Sequence, residues 1–174
     1  MNTIKLFFSL AILTSSSLLG FLYGGTYGKR AKSLSDLEYC LRVLESQVVI
    51  GNTPLPTALE NTYKQGKGDM RLIFKRIKDN LLLEKQEDIY FSFLSLSEEL
   101  RNKYLLKDAD IEVILFLGKI LGKSNREDQK KNFQFILGEI NEIYKDASKE
   151  KDVYEKLYRS LGILLGIGII IIII

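Results

Sequence analysis

Two carboxylate pairs, Glu98 with Glu99 and Asp108 with Asp110, are spaced for general acid–base work, and GKGD at Gly66 to Asp69 is the nearest approach to a phosphate-binding loop. An acid–base pair needs a shaped pocket around it. Both pairs fall beside predicted helix starts, where the helix dipole favours acids without any catalytic role. GKGD lacks the GxxxxGK-Ser/Thr spacing whose backbone amides cradle phosphate, so it reads as a turn. The chain contains no histidine and one cysteine, Cys40, which excludes a histidine triad, a histidine-ligated metal, a CxxC redox pair and an intramolecular disulfide. Cys40 falls in a helical pattern where a small apolar side chain packs, and is expected as a buried thiol. No catalytic residue, cofactor or metal is expected, and the chain reads as non-enzymatic.

What must carry these residues is a helical domain with apolar segments at both ends. Leu6 to Gly25 is one such run and Leu161 to Ile174 the other, and apart from Lys5 every charged side chain lies between them. The first, at 1.5 Å per helical residue, covers the ~30 Å hydrocarbon core of a bilayer. It runs on past Ser15, Ser16 and Ser17 without a small-x-small cleavage site, so it is expected as an uncleaved anchor rather than a signal peptide. The second is shorter, roughly 21 Å, and reaches a spanning length only by starting at Leu157 with Arg159 snorkelling to the headgroups. Lys29, Arg30 and Lys32 follow the first span and Lys156 and Arg159 precede the second, which places the middle in the cytoplasm. The expected organisation is therefore a transmembrane segment over 1–28, one cytoplasmic domain over 29–160, and a second transmembrane segment over 161–174. The 25 basic and 22 acidic residues are interspersed, which is solvated helix surface and not a nucleic-acid footprint.

Within the middle, Leu34, Leu37, Leu41, Leu44 and Val48 alternate steps of three and four, the face of an amphipathic helix continuing from the first span. Gly51-Asn52-Thr53-Pro54 predicts a break, with Gly51 left-handed, Thr53 as N-cap and Pro54 first in the next helix. A short helix over Leu55 to Gln65 follows. Asp69 then caps a third with Leu72, Ile73, Ile77 and Leu81 on one face, and a fourth covers Gln86 to Leu106 with Ile89, Phe93, Leu96 and Leu100. Asp108 caps a fifth. Ser124 to Glu127 forms a capping box for the last, whose frame runs Phe133, Leu137, Ile140, Tyr144, Ala147, Tyr154, Tyr158, Leu161 and Leu165. The fold class is all-α, a bundle of about six helices, with the first and last seams expected to meet antiparallel. Gly162 and Gly166 form a small-xxx-small pair suited to transmembrane packing.

LESQVVIGNTPLPTALE at Leu44 to Glu60, LGKSNREDQKKNF at Leu121 to Phe133 and YEKLYRSLGILLGIGIIIII towards the end resemble the stage III sporulation protein AB family of endospore-forming bacteria, along essentially the whole chain. The resemblance implies a helical bundle similar to the cytoplasmic domain of the type II secretion inner-membrane platform protein. It also implies a non-enzymatic scaffold in the assembly between mother cell and forespore, in the mother-cell membrane, with a secretion-type ATPase, stage III sporulation protein AA, as partner beside other membrane proteins of that assembly. Oligomeric state stays open. The structural or partner motif it implies comprises Glu45, Gly51, Thr53, Pro54, Leu55, Ala58 and Leu59, then Leu121, Gly122 and Gln129, then Ser160, Leu161 and Gly162. Gly118, Lys119 and Lys123 join that second group on residue type, since two glycines leave backbone accessible and two lysines offer charge to an acidic partner. A membrane-tethered coiled-coil signalling or tethering protein is the alternative.

Overall fold

The computed structural model describes residues 2–83, 88–121 and 126–173. Among these, every regular element is helical, as the periodicity predicts. The chain divides into two compact units, Met1–Ala31 with Asp146–Ile174, and Lys32–Lys145. Two long helices, α1 (Asn2–Glu45) and α7 (Arg126–Ile173), contribute residues to both.

In the unit Lys32–Lys145, Leu34, Leu37, Leu41 and Leu44 are all buried, together with Cys40. α2 (Leu55–Gln65) packs on α3 (Arg71–Leu83), α3 on α4 (Ile89–Leu94), and α4 and α5 (Ser97–Asn102) on α6 (Asp108–Ile120). An ion pair between Lys78 and Glu60, 2.8 Å, adds to the contact of α2 with α3. On α3 the buried face is Ile73, Phe74 and Ile77, with Leu72 and Leu81 half-buried at its margin.

The expected helix from Gln86 to Leu106 is two helices, and Gln86 itself lies outside the described residues. Asp88 caps α4 by accepting from the Tyr90 amide at 3.0 Å. The break comes at Ser95 and Leu96, where Leu96 N–H donates to the Phe93 carbonyl at 3.1 Å in a tighter i→i−3 turn. Such a turn keeps nearly the same facing, so Ile89, Phe93, Leu96 and Leu100 are still buried together. The α5 end is closed by Leu105 in the left-handed region, φ 57°, a place glycine usually takes.

Helix punctuation departs from expectation at three places. Gly51 is right-handed, φ −75°, and Asn52 takes the left-handed position at φ 47°. The cause is a π turn over Ser46–Ile50, whose wider ring brings Gly51 N–H to the Ser46 carbonyl at 2.9 Å and carries the reversal one residue further. Pro54, not Thr53, is then the N-cap of α2, and Leu55 its first residue. At α6 the N-cap is Lys107, whose amide donates to the Asp110 carboxylate at 2.9 Å, so Asp110 rather than Asp108 closes that end. Asp69 serves ahead of α3 through its carbonyl, which accepts from the Leu72 amide at 3.0 Å and the Tyr104 hydroxyl at 2.9 Å. The proposed capping serine, Ser124, lies outside the described residues.

Cys40 is fully buried and its thiol pKa is pushed up to about 11, chiefly by desolvation. Burial favours the neutral thiol. Its contribution to stability is therefore complete below the ordinary thiol pKa of about 9 and is lost as pH rises towards 11. The native protein should resist thiol reagents at neutral pH. Its urea midpoint should fall between pH 9 and 11 by an amount equivalent to about 2–3 kcal/mol at most, and a Cys40→Ala variant with an equally steep fall would remove the thiol as its cause.

The unit Met1–Ala31 with Asp146–Ile174 is an antiparallel helix pair. As numbering rises along α1 it falls along α7: Leu13 lies beside Gly166, Ser16 and Gly20 beside Gly162, Gly24 beside Glu155, and Arg30 against Glu150 at 2.8 Å. Leu161 and Leu165, expected on the seam, are exposed, while Gly162 and Gly166 are buried. Small residues at the contact let the two backbones approach closely and leave leucine outside. Phe7, Phe8, Leu10, Leu18, Leu19, Phe21 and Leu22 are correspondingly exposed. Among the described residues, α1 is long and apolar enough to cross a membrane by length and composition.

Candidate functional site

The two internal motifs occupy the unit Lys32–Lys145. Glu45, at the end of α1, lines a groove of about 420 Å³ with Val49, Ile50, Glu127 and Lys130, and a neighbouring one of about 340 Å³ with Arg42, Gln134, Leu137, Gly138 and Asn141. Here too α1 and α7 flank one another antiparallel. The structure thus brings Glu45 from the first motif to the start of α7, where Gln129 is half-buried.

The turn that follows is held by its own backbone. Gly51 donates to Ser46, and Thr53 N–H donates to the Gln47 carbonyl at 3.0 Å. A Cβ at Gly51 would stand 3.0 Å from both the Gln47 carbonyl and the Thr53 hydroxyl, so this glycine relieves crowding in the turn and does not serve a left-handed φ. Pro54 is exposed with ψ 139°, and its carbonyl accepts from Ala58 at 2.9 Å to open α2. Leu55 is half-buried, and Ala58 and Leu59 are fully buried. Gln47 also accepts from Asn61 at 2.8 Å, which ties the turn to α2.

Gly118 is not accessible backbone for a partner. It is buried where α6 crosses α4, and a Cβ would stand 3.0 Å from the Phe93 ring and 3.2 Å from Tyr90 Cα. Lys119 is exposed, with its ammonium 5.3 Å from the Tyr90 ring centroid, a cation–π contact that leaves one side of the charge in water. Gly122 and Lys123 lie outside the described residues. Gly118 and Lys119 do not line the Glu45 groove among the described residues, and Gly118 has a packing role. No group of metal-ligating side chains occurs among the described residues.

Gly162 and Gly166 pack against α1. A Cβ at Gly162 would be 2.8 Å from the Ser16 carbonyl and one at Gly20 2.5 Å from the Tyr158 carbonyl. The Ser16 hydroxyl donates to the Gly162 carbonyl at 2.6 Å, a polar bond inside the apolar stretch. Ring contacts close the pair beyond the glycines: Tyr27 stacks on Tyr154 with centroids 5.0 Å apart, and Tyr23 meets Tyr158 at 5.0 Å. Sequence reasoning missed the α1 side of this seam. Its signal was present, since Ser16, Gly20, Gly24 and Gly28 recur every four residues.

The chain matches the family profile described as stage III sporulation protein AB over residues 5–174. It is 27% identical over 169 residues to the stage III sporulation protein AB of Bacillus subtilis (strain 168), covering 97% of this chain and 98% of that one. A solved structure of a stage III sporulation protein AB is similar at a TM-score of 0.63 and 25% identity, over 72% of this chain and 98% of that chain. A match from residue 5 to residue 174 takes in the glycine seam and both internal motifs, and the chain belongs to the stage III sporulation protein AB family.

Proposed function

We propose that the protein is a membrane-anchored, non-enzymatic platform of the sporulation assembly between mother cell and forespore, with its helical domain in the cytoplasm. The observation that carries this reading is the glycine-seamed helix pair, whose outward side chains are large and apolar while Ser16, Gly20, Gly24, Gly162 and Gly166 line its contact. A soluble helix pair would turn its leucines inward. Four tyrosines, Tyr23, Tyr27, Tyr154 and Tyr158, gather at one level of the pair, as aromatic side chains do at headgroups. The domain then offers the Glu45 groove, the turn to Leu55 and the Lys119 charge to cytoplasmic partners, first among them the secretion-type ATPase, stage III sporulation protein AA.

Deleting the gene in its host should abolish heat-resistant spores, with restoration by the full chain and not by a version covering residues 29–160 alone. Normal sporulation of the deletion strain would sink the assignment. Co-purification with the ATPase from sporulating cells should follow the full chain and weaken on Glu45→Lys; an ATPase never recovered with the membrane fraction of this protein would remove that partner.

A further inference from the structure

α1 alone has an apolar run, Leu6 to Gly25, long enough for an ordinary bilayer. Pairing with α7 shortens what it can use. The Arg159 guanidinium lies 4.1 Å from the centroid of the Phe21 ring, and Arg159 is ion-paired to Glu155. Glu155 in turn lies along Gly24, with its carbonyl 3.1 Å from where a Cβ would be. The guanidinium thus sits at Phe21 while the Glu155 carboxylate reaches Gly28, 3.7 Å from its Cβ position, so the charge pair runs past the last turn of the α1 run, Leu22 to Gly25.

The aromatic rings mark the same level independently. Tyr23 and Tyr158 meet there, with Tyr27 and Tyr154 one turn further along. Below Phe21, α1 keeps Leu6 to Gly20 for hydrocarbon, with the Lys5 charge closing the other end. That stretch is roughly 22 Å of helix against a hydrocarbon core of about 30 Å. Sliding α7 to release the last turn of α1 would break the Ser16 bond to Gly162 and the Arg30 pair with Glu150.

We propose that this helix pair fits a bilayer thinner than average, and that it thins or seeks thin membrane where it inserts. The inference rests on the membrane reading above and adds the thickness. Full-length protein made by cell-free synthesis beside vesicles of monounsaturated phosphatidylcholine, with chains stepped from about 14 to about 22 carbons, should float best with the shortest chains. Recovery should fall several-fold by the longest. The double variant Glu155→Leu, Arg159→Leu returns the last turn of α1 to hydrocarbon, so its optimum should move towards longer chains. A role of these charges in helix pairing alone would lower recovery at every length without moving the optimum. Equal recovery at all lengths, or an optimum at long chains for the unaltered protein, overturns the thickness inference and leaves the membrane reading standing. No flotation with any vesicle overturns both.

Discussion

Gly20→Leu should separate the two helices of the terminal unit. A Cβ at Gly20 would lie 2.5 Å from the Tyr158 carbonyl and 3.0 Å from Gly162 Cα, and both obstacles are backbone. Neither can rotate away, so the helices must part by more than an ångström, losing the Ser16 hydroxyl bond at 2.6 Å and the tyrosine stacking. Overpacking of this kind costs about 2 kcal/mol, roughly a 30-fold drop in the paired population. Cysteines at positions 27 and 154 give the readout: oxidation should join them efficiently in the otherwise native chain and poorly once Gly20 is leucine. Gly25→Leu is the control, because nothing lies within 4 Å of its Cβ position. Equal loss at Gly20 and Gly25 would show that the seam is not what holds the pair.

The second large effect belongs to Gly68→Ala in the other unit. Gly68 sits at φ 56°, where any Cβ is strained, and that Cβ would fall 2.0 Å from an Asp36 carboxylate oxygen. Asp36 is buried and bonded to the Lys32 ammonium at 2.6 Å, which raises the lysine pKa, so it has little freedom to move aside. Strain and clash together should cost about 2–4 kcal/mol in a denaturant melt. Adding Asp36→Ala to Gly68→Ala removes the obstacle but not the strain, and the two changes together should cost less than their sum. Strict additivity would exclude the carboxylate contact. Gly138→Ala should act oppositely, stabilising by about 0.5–1 kcal/mol, since Gly138 is mid-helix and its Cβ position is open.

What the sequence made legible follows from which forces act locally. The leucines at 34, 37, 41 and 44 are spaced by helix geometry and buried as spaced, and the Ile89 to Leu100 stripe survived even the break between α4 and α5. Helix caps depend on more than the local residue type. Gly51 looked like the left-handed residue because glycine costs least there, yet the π turn handed that conformation to Asn52 and left Gly51 to solve a crowding problem. The same distinction explains Gly118, which together with Gly122 suggests an accessible backbone, whereas its missing side chain makes room for Phe93. In the apolar ends the heptad frame points to Leu161 and Leu165 because large apolar side chains fill an ordinary helix seam. Close backbone approach instead needs small residues, and the four-residue spacing from Ser16 to Gly28 and the pair Gly162 and Gly166 name that seam directly. The pairing of Glu45 with the start of α7 joins residues more than eighty positions apart, and no local pattern carries it.

Tyr27 and Tyr154 hold their rings stacked at 5.0 Å on two helices that come from opposite ends of the chain. An added photo-oxidant, a ruthenium complex with persulfate as the terminal electron acceptor, takes one electron from each phenol, and each loses a proton. The two radicals couple through their ortho carbons and weld the unaltered protein into a closed loop. The blue fluorescence of the resulting dityrosine would then record, inside sporulating cells and without any introduced residue, when in development the last helix finds the first.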